Sequence, residues 1–418
     1  MTRRAVITGL GLLAPSGSTP DEHWATVQEG RSRLAPISAF DATRYPTRLA
    51  GEVRVPDLAS LIEGRLAVQT DRWTWLALLG TEYALADAGL DLAELDPYDL
   101  SVVLASSSGG NAFGQRELQR LWSGPTRTVG AYQSIAWFYA ASVGQVSIRY
   151  QAKGPSNVLL SESAGGLDSL AHAARLIRRG VPVVLAGGME APLSPYALAC
   201  QLRSGRLNPA TAPERAYQPF DTAAAGYVPG EGGVIFVVEE LEAARRRGAR
   251  QLYGEILGAA ATHDAAHTGW APAANHGYYA AALRLALERA GRSPDDVDLV
   301  IPDAVGLAAP DRDEAAALGE VFGGRPVPVS THKPLVGRMY QGGSALDVAT
   351  ALLAIRRRTM PASVVPADPA PGCALNFVAG GSAARLDTAL IGARGFDGYN
   401  SALLLGSVRP ARPESEAA

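Results

Sequence analysis

Residues 154–168 read GPSNVLLSESAGGLD. A Gly-Pro turn opens a short apolar run over 157–160, which predicts a buried strand. After Ser-Glu-Ser the chain turns to Ala-Gly-Gly-Leu, and residues 166–179 carry the apolar spacing of a helix. Ser163 therefore stands at a strand-to-helix junction, where a hydroxyl is either a nucleophile or a helix cap. Serine nucleophiles need an adjacent base. The surrounding SESAG also lacks the Gly-x-Ser-x-Gly elbow of hydrolases. A capping role for Ser163 is the expected one.

The same alternation runs outward along the chain. Short β-branched or apolar runs predict strands at residues 4–8, 101–105, 181–186, 233–238, 297–302 and 402–407. Alanine- and leucine-rich stretches predict helices at 73–88, 111–122, 277–289, 313–322 and 345–357. This is the pattern of an α/β protein with buried sheets. Residues 84–110 end a helix at Ala-Gly, pass a Pro/Asp turn and enter a strand, and residues 286–307 repeat that grammar. The echo predicts two similar halves, 1–250 and 251–408, followed by a disordered tail at 409–418.

Composition excludes several classes. Of 418 residues, 47% are hydrophobic and the net charge is −3, so disorder is not the main character. With a pI of about 6.1 and no basic stripe, no nucleic-acid partner is expected. The apolar stretch after Met1-Thr-Arg-Arg is broken by glycines, and reads as a first strand rather than a signal peptide. No run of about 18 apolar residues occurs, so no membrane partner is expected. Two cysteines, Cys200 and Cys373, make no disulfide framework, and a reducing cytoplasm is the expected location. His263 and His267 flank Asp264 at helical spacing without a third ligand nearby, so no metal is expected.

Four segments carry a family resemblance. Residues 154–168, preceded by QVSIR at 145–149, resemble the nucleophile region of the β-ketoacyl synthases. PFDTAAAGYVPGEGG at 219–233 resembles that family's Pro-Phe-Asp…Gly-Glu-Gly loop. VSTHKPLVGRMYQGGSALDVATALLAI at 329–355 resembles its lysine loop and following helix, and GFDGYNSALLLGS at 395–407 its terminal glycine loop and strand. The match runs in order from about residue 3 to 408. It implies a thiolase-like αβαβα fold of five layers, built from two pseudo-duplicated halves.

A condensing enzyme of this family uses a cysteine thiolate to take an acyl group, and two histidines to assist decarboxylation and steady the enolate. On this alignment the three positions hold Ser163, Asp303 and Arg338, while the family lysine is kept as Lys333. Asp303 and Arg338 either meet as an ion pair that fills the vacated site or point apart and are solvated. A carboxylate at 303 would repel malonate in either case.

That pattern of loss, with the texts at 109–122 and 131–149, resembles the ketosynthase β, or chain length factor, branch of bacterial type II polyketide synthases. The branch usually has glutamine where Ser163 stands. The resemblance implies a non-nucleophilic subunit paired with a ketosynthase α subunit as a heterodimer. The pair would extend a polyketide from malonyl units on an acyl carrier protein and set its length. Substrates would ride on the carrier's phosphopantetheine, with no cofactor of the chain's own. By the same resemblance Asn111, Gly114 and Leu118 line the chain tunnel from one helix face, and Trp137 and Phe138 lie in the interface segment. Alternatives are a stand-alone acyltransferase or decarboxylase using Ser163, and a structural homodimer.

Overall fold

Two arrays of strands share one order and one set of directions. The first comprises β1 (Ala5–Leu13), β2 (Leu100–Ala105), β3 (Asn157–Leu159), β4 (Val183–Glu190) and β5 (Gly232–Glu240). The second comprises β6 (Gly254–His263), β7 (Leu299–Ile301), β8 (Pro328–Val329), β9 (Asn376–Phe377), β10 (Thr388–Arg394) and β11 (Tyr399–Gly406). The sheet order is β3-β2-β4-β5-β1 in one array and β8-β7-β10-β11-β6 in the other, with β9 added outside β8. In each, three strands are parallel and the last two pairings antiparallel. The computed structural model describes residues 3–265, 276–378, 381 and 386–408. The expected tail at 409–418 and His267 lie outside the described residues.

Helices α1 (Arg72–Ala88), α2 (Asn111–Ser123), α3 (Ala141–Arg149) and α4 (Gly165–Arg179) belong to the first half. Those of the second are α5 (His276–Arg289), α6 (Ala308–Phe322) and α7 (Gln341–Arg357). α1 packs on β1, β5 and β4 from one side, and α5 packs on β6 and β11 from the other. Between the two arrays lie α4 and α7, in contact with each other. Layers therefore run helix, sheet, helix, sheet, helix, as expected. Every residue from Gln341 to Ile355 is buried, which is why α7 is mostly small or apolar, with the buried Asp347 paired to Lys333.

The two arrays were expected as separate sheets. They also touch edge to edge, where β1 pairs with β6 at Val6↔Glu255 and Ile7↔Gly254, so hydrogen bonding runs continuously across the molecule. β6 and β10 were not foreseen. Their sequences, GEILGAAATH and TALIGAR, are rich in alanine and glycine, which suit crowded buried strands but resemble helix text. Among the described residues no helix is long and apolar enough to cross a membrane.

The central helices approach closely at their N-termini. A Cβ on Gly166 would lie 2.5 Å from both Gln341 O and Ser344 Oγ. The Gly-Gly of the opening motif thus answers to packing between α4 and α7, and brings the loops that precede them together.

Candidate functional site

Those loops build the site. Ser163 lies in a tight turn, Glu162–Ala164, that leads directly into α4. It is not the cap it was expected to be. Ala164 occupies the N-cap position with no side-chain hydrogen bond, because the preceding turn runs into the helix without the extended residue a serine cap requires. The Ser163 hydroxyl is 3% exposed and has no hydrogen-bond partner among the described residues. The neighbouring Ser161 makes the useful contact instead, donating to Asp168 Oδ2 at 2.5 Å.

Asp303 and Arg338 meet. Arg338 Nη2 lies 3.1 Å from each Asp303 oxygen and also donates to Arg394 O at 3.1 Å. Its guanidinium sits over the Tyr227 ring, 5.4 Å from the centroid. Burial alone would lower the Arg338 pKa, but Asp303 together with Tyr217 and Glu162 outweighs it, and the pKa is raised well above its ordinary value. The guanidinium is firmly charged.

The backbone that carries Asp303 is held from behind by two buried carboxylates. Glu314 accepts the Asp303 and Ala304 N–H groups, both at 2.7 Å, and Asp311 accepts those of Gly306 and Phe220 at 3.0 and 2.8 Å. Tyr217 donates to Ala304 O at 2.7 Å. Burial pushes the Asp311 carboxyl up to about 7, and raises Glu314, where Asp303 adds to the effect. Lys333 completes the support, donating to Pro302 O at 3.0 Å and to Asp347. Position 303 is thus firmly held, and a carboxylate there has the wrong charge for stabilising an enolate.

A cavity of about 420 Å³ opens beside this centre. Glu162, Tyr227, Tyr340, Phe396, Asn111 and Cys200 are among the residues that line it. Of the three residues expected on one face of α2, only Asn111 lines this cavity. A Cβ on Gly114 would lie 2.7 Å from Trp137 Cδ1, and Leu118 is 42% exposed. Trp137 and Phe138 are 50% and 44% exposed, in company with Trp122, Tyr132, Ile135 and Ile148. β3 forms the end of the sheet order, so among the described residues one of its edges is unpaired. Exposed large apolar side chains and an open strand edge are both features that suit association with another chain.

His263 packs its ring against Tyr399 at 4.9 Å and accepts the Ala265 N–H at 3.0 Å. Among the described residues no group of three or more His, Cys, Asp or Glu is arranged to hold a metal. Phe396, Glu314 and Asp311 were not singled out from sequence, and Glu162 was noted only as a residue the resemblance keeps. Their roles depend on backbone conformation and burial, which leave no spacing signal.

Comparisons with known proteins agree with this architecture. The family model described as beta-ketoacyl synthase, N-terminal domain, matches residues 2–244, and the corresponding C-terminal domain matches 253–365. The tetracenomycin polyketide synthase ketoacyl synthase beta subunit of Streptomyces glaucescens is 51% identical over 403 residues, covering 96% of this chain and 97% of that one. The alpha subunit of the same synthase is 34% identical, covering 98% of each chain. Among solved structures, the ishigamide ketosynthase/chain length factor superposes with a TM-score of 0.90 at 27% identity, covering 98% of this chain and 100% of that chain. A type II polyketide synthase acyl-carrier protein in complex with its ketosynthase bound to the hexaketide gives 0.87 at 25% identity, with 98% and 100% covered.

Proposed function

Because the chain belongs to the β-ketoacyl synthase family, we propose that it is a chain length factor, the ketosynthase β subunit of a type II polyketide synthase. It pairs with a ketosynthase α subunit, and the pair extends a polyketide on an acyl carrier protein by decarboxylative condensation of malonyl units. The partner supplies the thiol and histidines, and this chain supplies wall and interface. Substrates arrive on the carrier's phosphopantetheine in the cytoplasm. The chain divides near residue 250 into two halves, a reading supported by the repeated strand order and the two family matches.

One observation carries the reading. Where the family's thiol and histidines stand, the chain has a partnerless Ser163 hydroxyl and a buried Asp303–Arg338 ion pair, inside an otherwise complete fold. Neither Asp303 nor Arg338 can serve as a neutral hydrogen-bond donor to a developing enolate while paired. The half-exposed Trp137 and Phe138 support their role as interface anchors. Leu118, exposed on α2, is proposed to face the tunnel once the partner covers it, with Asn111 toward the cavity and Gly114 making room for Trp137. Co-expression with and without a ketosynthase α subunit, followed by size-exclusion chromatography and an assay of carrier-bound product, tests the pairing. A heterodimer that makes polyketide is expected, whereas activity of the pure single chain would favour a stand-alone enzyme.

A further inference from the structure

One oxygen of Glu162 accepts two backbone N–H groups from distant parts of the chain. Ser163 N lies 2.6 Å from Oε2 and Phe396 N lies 3.0 Å from the same atom. The first donor belongs to the turn that opens α4, and the second to the glycine loop between β10 and β11. Their convergence requires close approach of the two segments. A Cβ on Gly395 would fall 2.4 Å from Ser161 O and 3.4 Å from Glu162 Cβ, so only glycine fits there. Glu162 itself has φ of 50°, a left-handed conformation that a glutamate keeps only when its surroundings hold it.

Two N–H groups within 3 Å of one negatively charged oxygen form the arrangement that stabilises the oxyanion of acyl transfer. Here the anion is part of the chain. The Ser163 hydroxyl, on the same residue as one donor, is buried and has no partner among the described residues. Glu162 and Phe396 also line the 420 Å³ cavity, so the occupied notch borders that space.

We propose that the Glu162 carboxylate is a built-in occupant of an oxyanion notch formed by the Ser163 and Phe396 N–H groups, and that it bars acyl thioester carbonyls from this subunit's own cavity. The subunit is silenced twice, by loss of the thiol and by filling the place a thioester oxygen would take. The blocked step is explicit. A thiolate at position 163 would bond to the thioester carbonyl carbon, moving an electron pair onto oxygen. Collapse would expel the N-acetylcysteamine or pantetheine thiolate, which takes up the proton that the attacking thiol gave away.

The inference rests on the proposed pairing for assembly of the complex, but its test reads residue 163 of this chain. Ser163→Cys in the assembled complex restores a thiol and leaves Glu162 in place. It is treated with a short acyl thioester of N-acetylcysteamine, and the peptide containing residue 163 is weighed. The expected result is negligible acylation, although iodoacetamide, which needs no oxyanion donors, labels the same thiol. Adding Glu162→Gly, which also suits the left-handed backbone, should raise acylation at least tenfold. Adding Glu162→Gln instead keeps an oxygen in the notch and should stay within about threefold of Ser163→Cys alone. Rapid acylation of Ser163→Cys with Glu162 present overturns the proposal, and this variant decides the matter even if the glycine variant does not assemble. Failure of iodoacetamide to label it also overturns the proposal, since access rather than the notch would then be limiting. Failure of the complex to form at all counts against the pairing, and is read separately by chromatography.

Discussion

Arg338 Nη2 stands 3.1 Å from both carboxylate oxygens of Asp303, with the two side chains 4% and 3% exposed. The pair stands where the resemblance to the condensing enzymes is proposed to place two histidines. Its charges cancel each other, and its geometry is fixed by Arg394 O, Glu314 and Lys333 through Pro302. The result is a buried, firmly held ion pair.

Breaking that pair should be costly. Arg338→Met leaves Asp303 buried beside Asp311 and Glu314 with its strongest counter-charge gone, and a loss of about 3–5 kcal/mol is expected. Asp303→Asn combined with Arg338→Met should recover most of it, because no uncompensated charge remains. Denaturant melts of the three complexes check this. A double variant no better than Arg338→Met would deny that the cost is electrostatic.

Ser163→Ala should be nearly silent. The hydroxyl caps nothing and has no partner among the described residues, so its removal relieves a buried unsatisfied group, and stability should hold or rise by up to about 1 kcal/mol. Product formation by the complex should stay within a few-fold of the parent. Loss of product from a folded Ser163→Ala complex would revive a serine nucleophile.

Substitutions on α2 should separate two effects. Leu118→Trp adds bulk at an exposed position, and shorter products at near-normal turnover are expected by mass spectrometry if the face lines the assembled tunnel. Gly114→Trp must displace the Trp137 indole, since even a Cβ would lie 2.7 Å from it. Weakened assembly, with no particular change in length, is the outcome expected there. An unchanged length distribution from a well-folded Leu118→Trp complex would remove this face from the tunnel.

Glu190 gives a pH signature. Burial pushes its carboxyl up to about 7 from 4.5, although Ser107 and Ser108 donate to it. Between pH 4.5 and 7 the folded state holds a proton that the unfolded state has released, so this group makes stability fall as pH rises through that window and level off above it. Glu190→Gln removes the dependence. Relative to the parent, the variant should therefore gain stability from pH 5 to pH 8, by up to about 3 kcal/mol. A parent-minus-variant difference that is flat with pH would contradict the assignment.

Much of the fold was legible in the text of the chain. β-branched runs and alanine-rich stretches marked most of the long strands and helices, and motif resemblance pointed to residues 163, 303, 333 and 338, of which 303 and 338 meet in the structure. Other features were not legible. β6 and β10 are buried on crowded faces, where alanine and glycine replace the branched residues that mark strands. The missing cap at Ser163 depends on a tight turn ahead of α4 that leaves no trace in composition. Glu162 was visible as a retained residue, but its left-handed backbone and its reach to Phe396, 234 positions away, exist only in the fold.

Carbon dioxide release from malonyl-loaded carrier protein tests the central claim most directly. The purified chain alone should release it no faster than the uncatalysed background, and the complex with its ketosynthase α partner should release it rapidly. A rate for the single chain that matches the complex would contradict the account, because Ser163, Asp303 and Arg338 would then be doing chemistry that their environment denies them.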